Sequence, residues 1–367
     1  MSERNRTGVE STRRPAVTGI APGRVNLIGE HVDYNGGRCL PMALTQVTRA
    51  TVTPRDDDTV RVTSGSRSWE GRVDGLDEAD PWASYVTGVL LALEVRSGVE
   101  VDITSDVPIG AGLSSSAALE CSVAVALDEV FGLGRSQEEL VAACVRAEQE
   151  YVGAPTGGLD QAIAVYGEPD HALLIDFANG NREQVPFDPA AHGLTLLVID
   201  TLVSHELTDG GYGSRRDQAW DAARQLGLDH LAQAVAEDLD RLPEPLRRRA
   251  RHVVTEVARV DALVEALRAD DWEAIGPLMV GSHVSLRDDY VVSCEELDLT
   301  VDVAREAGAV GARMTGGGFG GSAIALVPTE RVDAVRAAVT TAFVARGWKR
   351  PEFLVAVPGG GARLATD

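Results

Sequence analysis

Residues 21–37 constrain the fold of this chain more than any other segment and read APGRVNLIGEHVDYNGG. The apolar residues Val25, Leu27 and Ile28 are typical of a strand. The second half instead collects carboxylate, imidazole and phenol side chains between glycines. Such groups suit a ligand with many hydroxyl groups, although Asp-Tyr-Asn-Gly-Gly is also ordinary turn chemistry. The segment therefore predicts a strand that ends either in a binding site for a polyhydroxyl ligand or in a polar turn.

The length and the composition indicate a globular protein with two domains. The chain has 367 residues, of which 44% are hydrophobic and 25% are charged. No apolar run reaches membrane-spanning length, and the first residues lack the apolar core of a signal peptide. The four cysteines are scattered and form no Cys-x-x-Cys pair. We therefore expect reduced thiols, no zinc site and a cytoplasmic location.

The net charge and the scarcity of lysine each argue against particular classes of function. A net charge of -22 disfavours non-specific binding to nucleic acid or to anionic lipid, so we expect neither partner, and we expect a monomer. Lys349 is the only lysine in the sequence. A Walker A loop and a protein-kinase fold each need a lysine beside the phosphates, so neither can be built here. A nucleotide would have to be bound by another phosphate-binding device.

Helix and strand patterns alternate along the whole chain, which predicts an α+β protein. We expect a flexible arm at residues 1–16, one domain at 17–190 and a second at 191–367. Strands are predicted at 17–29, 47–53, 59–63, 99–105, 171–176, 194–200 and 352–357. Helices are predicted at 82–95, 115–131, 136–152, 271–286, 293–307 and 329–346, and through 214–267 with interruptions near Pro243 and Pro245.

A glycine- and serine-rich loop at residues 107–120 reads VPIGAGLSSSAALE and opens an apolar helix. Backbone N–H groups at a helix N-terminus bind anions, and Gly110 and Gly112 would allow a close approach. A serine that caps the helix is the structural alternative. Three consecutive serines exceed what one cap needs, so the pattern favours phosphate binding.

Two carboxylates follow, Glu148 late in a predicted helix and Asp160 just after a glycine turn. A loop between them can fold back and place both in one cleft, where they would suit phosphoryl transfer. Taken singly, Asp160 is more typical of a helix cap, and Glu148 of a solvated helix face.

A second glycine-rich stretch, residues 314–321, reads MTGGGFGG and precedes an apolar strand. It predicts close backbone contact with a ligand or with the other domain. Among the histidines, His205 follows a predicted strand and could face the site. Four others, His171, His192, His230 and His252, are more typical of surface or structural positions, and no pair has metal-ligand spacing.

Taken together, these motifs resemble those of the GHMP kinases, the superfamily of galactokinases and of homoserine, mevalonate and phosphomevalonate kinases. Segment 23–37 resembles the galactokinase signature almost letter for letter, and 108–117 resembles the superfamily ATP-binding motif. Segment 311–321 is similar to the third family motif. Further segments that match the galactokinase pattern are 211–216, 282–290 and 293–298. The resemblance runs from about residue 17 to about residue 350.

The resemblance implies two mixed α/β domains of the GHMP kinase type, with the active site in the cleft between them. It implies ATP and Mg²⁺ as cofactors. The sugar would contact Arg24, Glu30, His31, Asp33, Gly157, Asp160 and Tyr212. The loop around the ATP phosphates would comprise Gly110, Ala111, Gly112, Leu113, Ser114, Ser115 and Ser116. Ser116 and Glu148 would hold Mg²⁺, and Trp82 would lie beside the adenine, although a tryptophan there is also typical of the core.

The implied reaction transfers the γ-phosphoryl group of ATP to the anomeric hydroxyl of D-galactose. Asp160 would act as the base, or as the acceptor that orients this hydroxyl. Arg24 would keep Asp160 ionised and offset charge on the transferring group. Two alternatives stay open at this point: a kinase for another sugar, such as an N-acetylhexosamine or arabinose, and a non-catalytic sensor that binds galactose and ATP.

Overall fold

The computed structural model describes residues 14–154, 156–204 and 211–366. Most of the predicted arm at 1–16 lies outside these residues, and so does His205. Within the described ranges, none of the helices combines the length and the apolar character that crossing a bilayer requires.

The described residues form thirteen strands, nine α-helices and several shorter helical turns. The strands are β1 (Val17–Asn26), β2 (Arg38–Cys39), β3 (Pro41–Pro54), β4 (Thr59–Ser64), β5 (Arg67–Arg72), β6 (Val99–Ser105), β7 (His171–Asp176), β8 (Arg182–Pro186), β9 (Leu194–Ser204), β10 (Gly311–Thr315), β11 (Gly320–Pro328), β12 (Glu352–Ala356) and β13 (Arg363–Leu364). The helices are α1 (Ser84–Ala92), α2 (Ser115–Phe131), α3 (Gln137–Arg146), α4 (Leu159–Tyr166), α5 (Gly211–Leu226), α6 (Leu246–Arg268), α7 (Trp272–Ser285), α8 (Glu295–Glu306) and α9 (Val332–Ala345).

The first sheet has the strand order β13-β1-β3-β6-β4-β5, with only the β4–β6 pair parallel. Strand β6 shows why these residues form a sheet with one covered face. Val99, Val101 and Ile103 are buried, whereas the residues between them are partly or fully exposed. Helix α2 packs on β1 at very short range, because a Cβ atom on Gly19 would lie 2.0 Å from the carbonyl oxygen of Ser122. Only glycine allows this contact.

The second sheet has the order β10-β11-β9-β12 and is antiparallel throughout. Its core includes Leu297 and Val301 of α8 together with Val335 and Phe343 of α9, all nearly or fully buried. A third, smaller sheet has the order β2-β7-β8. The chain then returns to the first sheet, where Leu364 of β13 pairs with Gly19 of β1. The domain boundary near residue 190 stays a prediction.

Several predicted elements are correct to the residue and others need correction. β6, α2 and β7 have the predicted bounds. β1 ends at Asn26, earlier than predicted, because the amide of Leu27 bonds instead to the carbonyl of Leu40 at 3.0 Å, outside the sheet. The predicted helical region 214–267 is two long helices. Gly227, with φ of +73°, follows the end of α5, and the prolines at 243 and 245 precede the start of α6.

Six elements were missed, namely α4, β2, β5, β8, β10 and β13. Helix α4 is only two turns long, so it gives too few repeats for a periodic pattern. Strand β5 is half-buried or exposed along its whole length, and it therefore lacks the apolar alternation of a core strand. The strand β8 is similarly polar. Helix α3 is followed by a wider helical turn, Ala147–Val152, rather than by six more residues of regular helix.

Candidate active site

A polar cavity of about 190 Å³ lies where β1 and the turn that follows it, the start of α4 and the glycine loop after β10 meet. Every residue that the resemblance assigns to the sugar lines this cavity. The lining comprises Arg24, Gly29, Glu30, His31, Asp33, Glu148, Thr156, Gly157, Leu159, Asp160, Tyr212, Gly316 and Gly317. Carboxylate, guanidinium and hydroxyl groups therefore converge on one small space, as a ligand with many hydroxyls requires.

Arg24 and Asp160 form the charged centre of the site. The Arg24 Nε atom donates to Asp160 Oδ1 at 2.7 Å and its Nη2 atom to Oδ2 at 3.0 Å, which makes a two-point contact. The Ser114 hydroxyl also donates to Oδ2. Asp160 is therefore held in one orientation from two sides.

A β-bulge explains why Arg24 faces this site. The register of β1 against β3 shifts between Pro22 and Arg24, and bulges redirect side chains at functional sites. The backbone amide of Arg24 then donates to Leu113 at 3.0 Å, and its Nη1 atom donates to Gly112 at 2.5 Å. Burial by itself would lower the pKa of Arg24, but Asp160 and Glu30 outweigh burial and raise it.

Glu30 ties the first motif to the second glycine-rich stretch. Its Oε1 atom accepts from the Gly316 amide at 2.7 Å and from the Thr315 hydroxyl at 3.1 Å. The buried guanidinium of Arg313 lies 3.5 Å from the same oxygen. This confirms the prediction that segment 314–321 makes close backbone contacts. Strand β10 begins at Gly311, three residues before this segment, and ends inside it at Thr315.

His31 is buried and takes the left-handed backbone conformation, with φ of 61°. Its Nε2 atom lies 3.2 Å from the carbonyl of Gly317, and its Nδ1 atom 2.8 Å from the hydroxyl of Tyr34. A carbonyl only accepts, so Nε2 carries the proton and Nδ1 accepts from Tyr34. Burial lowers the pKa of His31 to about 3. His31 is therefore a neutral, orienting group.

Helix α6 contacts the turn at residues 29–31 with two buried side chains. Sequence reasoning did not assign either of them to the site. Glu256 accepts from the Gly29 amide at 3.1 Å, and His252 lies 3.0 Å from the carbonyl of Glu30. Ser282 and Ser285 of α7 complete the network at 2.5 Å from Glu256 and 2.9 Å from His252. The assignment of His252 as a structural histidine fits this position.

Gly157 lies against Asp33 so closely that no side chain fits. A Cβ atom at residue 157 would lie 2.0 Å from Asp33 Oδ2. We expect Gly157→Ala to displace the Asp33 carboxylate and to weaken sugar binding by about 1–3 kcal/mol, the usual range for overpacking. Isothermal titration with galactose measures this. Gly75→Ala, where a Cβ meets nothing within 4 Å, is the control. Equal affinity in both variants would contradict the assigned contact.

Asp33 should make sugar binding depend on pH. Burial raises its pKa to about 7, and only the ionised form accepts strongly from sugar hydroxyls. Its ionised fraction rises with pH, so we expect galactose affinity about tenfold weaker at pH 6 than at pH 8. His31 does not titrate in this range. Dissociation constants measured across this range test the expectation, and Asp33→Asn should flatten the profile. A flat wild-type profile would refute it.

The loop of residues 110–116 runs into the N-terminus of α2, as predicted. Gly110 and Gly112 have φ of +84° and +73°, which glycine adopts without strain. Ser114 precedes α2, but its side chain makes no capping hydrogen bond to the helix and contacts Asp160 instead. The first amides of α2 therefore lack a serine cap from Ser114. This favours anion binding over the capping alternative.

Ser116 and Glu148 lie close to each other, because the Ser116 hydroxyl acts on the Glu148 carboxylate and lowers its pKa. Burial raises the pKa of Glu148, so a cation beside it would be stabilising. No group of three or more His, Cys, Asp or Glu ligands occurs in the part of the chain that the structure describes. A hydroxyl and a carboxylate suit Mg²⁺, which takes few protein ligands and fills its shell with phosphates and water. The donor set therefore fits this ion.

The predicted phosphate-loop residues 110–116 and Trp82 are not among the residues that line the cavity. Ser116 borders it through Glu148. Trp82 lies just before α1, half-buried against the core of the first sheet, and its role beside the adenine stays a prediction. Sequence reasoning also missed Thr156 and Leu159 in the lining. The one indication of them in the sequence was that they are next to Gly157 and Asp160.

Three family models match the chain. The galactokinase galactose-binding signature matches residues 9–54, the GHMP kinase N-terminal domain 84–168 and the GHMP kinase C-terminal domain 263–345. The first covers the sugar motif, and the second covers both the glycine–serine loop and Asp160. The third covers α7, α8 and the whole of α9.

Curated relatives agree with these matches. A galactokinase of Streptomyces coelicolor is 48% identical over 94% of this chain and 92% of its own length. A galactokinase of Mycobacterium tuberculosis is 43% identical over 90% of this chain and 94% of its own.

The fold is also similar to that of solved structures. Lactococcus lactis galactokinase, solved with galactose, superposes with a TM-score of 0.91 at 34% identity, over 96% of this chain and 95% of its own. A mevalonate kinase structure, at 18% identity and a TM-score of 0.66 over 96% of this chain and 100% of its own, shares the fold. These findings confirm the predicted α+β fold with N- and C-terminal GHMP kinase domains. The chain belongs to the galactokinase family of the GHMP kinases.

Proposed function

We propose that this protein transfers the γ-phosphoryl group of MgATP to the anomeric hydroxyl of D-galactose. The observation that carries the proposal is the position of Asp160. Its carboxylate faces the polar cavity and is bonded to Arg24 and to Ser114 of the predicted phosphate loop. In this proposal, the acceptor for a sugar hydroxyl is therefore next to the loop that would hold the phosphates.

The steps of phosphoryl transfer can be written from this position of Asp160. The anomeric oxygen forms a bond to the γ-phosphorus, the bond from that phosphorus to the β,γ-bridging oxygen breaks, and ADP leaves with the electron pair. The proton of the hydroxyl goes to Asp160. Because the transition state is loose in most analyses, the orientation of the hydroxyl matters more than the basicity of its acceptor. Arg24 offsets negative charge on the transferring group.

The other residues bind and orient. Asp33, Glu30, His31 and Tyr212 would recognise the remaining sugar hydroxyls, and Gly157 would leave room beside Asp33. Residues 110–116 would hold the ATP phosphates, and Trp82 would border the adenine. Ser116 and Glu148 would hold Mg²⁺, which neutralises phosphate charge when bound. Monomeric, cytoplasmic action without nucleic-acid partners is part of the same proposal.

ADP release from purified protein, measured with MgATP on a panel of monosaccharides, tests the function. We expect turnover with galactose and little with glucose, N-acetylgalactosamine or arabinose. Turnover with another sugar alone would keep the mechanism and replace the substrate. Binding of galactose and ATP without turnover would support the sensor instead.

A further inference from the structure

One buried side-chain amide bridges two carboxylates behind the proposed metal ligands. The Gln161 Nε2 atom lies 2.6 Å from Glu148 Oε2 and 3.1 Å from Glu120 Oε2. An amide nitrogen carries two hydrogens, so each N–H donates to one of the two acids. The orientation of the amide thus depends on both.

The helices place these groups beside the reaction centre. Ser116 and Glu120 are one turn apart on α2 and therefore share a face. Gln161 follows Asp160 directly on α4, and Glu148 comes from the wide turn after α3. The amide joins all three elements at one point.

Glu120 is an unusual residue for this position. It has no exposed surface, and its Oε1 atom has no hydrogen-bond partner within the described residues. Burial and the nearby Glu148 raise the pKa of Glu120 to about 10. Its side chain is therefore a neutral acid at pH 7, and the proposed phosphoryl transfer gives it no role.

We infer that Glu120 is a positioning residue, which holds the Glu148 carboxylate in its metal-binding orientation through the side-chain amide of Gln161. The inference rests on the proposed role of Glu148 as a Mg²⁺ ligand. Without an acceptor at residue 120, the amide is held, apart from its bond to Glu148, only by the long contact of the Thr156 hydroxyl with its Oε1 atom, at 3.5 Å. The amide can then turn away, and Glu148 loses its fixed partner. Partners of this kind typically alter metal affinity 10- to 100-fold when they are removed.

The test measures binding of Mn²⁺ in the presence of ADP, with free Mn²⁺ counted by electron paramagnetic resonance. Glu120→Leu removes the acceptor at similar volume, and we expect affinity for the metal to fall about tenfold. Glu120→Gln keeps a neutral carbonyl acceptor, so we expect affinity within about twofold of wild type. Gln161→Asn keeps an amide but shortens its reach, and it should reproduce the loss if Glu120→Leu folds poorly. Galactose affinity should change little in all three.

The outcomes are distinct. A lower thermal midpoint for Glu120→Leu with unchanged metal affinity, or unchanged affinity in Gln161→Asn, would overturn the inference, since the role would be structural only. Equal losses in Glu120→Gln and Glu120→Leu would also overturn it. Failure of the wild-type protein itself to bind Mn²⁺ with ADP would instead count against the proposed function.

Discussion

Asp160→Asn is expected to lower kcat for galactose by about 10³-fold or more, the range for loss of an acid–base group together with transition-state electrostatics. An amide cannot take the proton of the anomeric hydroxyl, and it replaces an acceptor oxygen of the Arg24 contact with a donor. Binding of nucleotide should stay largely intact, since residues 110–116 are unchanged. Steady-state kinetics with galactose and MgATP give the first quantity, and titration with ADP gives the second.

The matched control is Asp102→Asn, on the exposed face of β6, which should turn over like wild type. If Asp160→Asn kept near-normal turnover, Asp160 would be neither base nor orienting acceptor, and the proposed mechanism would have to be abandoned. If it lost nucleotide binding as well, the effect would be one of folding.

Glu256→Ala is expected to have the largest effect on stability, a loss of about 3 kcal/mol or more in the free energy of unfolding. Glu256 is fully buried and bonds to the Gly29 amide, the Ser282 hydroxyl and Arg259. Burial alone would raise its pKa, but His252 and Arg259 outweigh burial and lower it to about 2. The carboxylate is thus ionised in the folded protein, and its removal leaves three donors without their acceptor.

Urea denaturation followed by circular dichroism measures this loss. Glu265→Ala is the control on the same helix, because Glu265 is 70% exposed and pairs with Arg268 at the surface. We expect that variant within about 0.5 kcal/mol of wild type. Similar midpoints for the two variants would mean that the hydrogen bonds of Glu256 near residues 29–31 contribute no more to the free energy of unfolding than a surface ion pair does. A folded Glu256→Ala protein should also show a higher KM for galactose, because the turn loses its support.

Local patterns predicted much of this structure. The bounds of β6 and α2 are correct because alternating valines and a long apolar helix after a glycine loop carry their signal within the segment itself. The sugar residues were assigned by resemblance, and the structure brings them into one cavity. Their chemical roles remain predictions that the variants above test.

The rest depends on contacts between distant residues. Glu256 and His252 lie on a helix more than 200 residues after the turn that they support, and nothing in their own segment marks them. The sequence around Glu120 does not distinguish it from other helix residues. Its contact at 3.1 Å with Gln161, which lies on another helix, is visible only in the structure. Burial of polar groups is a property of the assembled core, so their neighbours in sequence do not reveal it.

The pairing of β13 with β1 also has a consequence for synthesis. Strand β1, which carries Arg24, acquires its partner β3 by residue 54, but its other neighbour is made only at residues 363–364. At about 5–20 residues per second, the ribosome needs roughly 15–60 s for that interval. During this time the strand has an open edge, which is a template for wrong pairing. We therefore expect this edge of β1 to stay open to wrong pairing until β13 has been made.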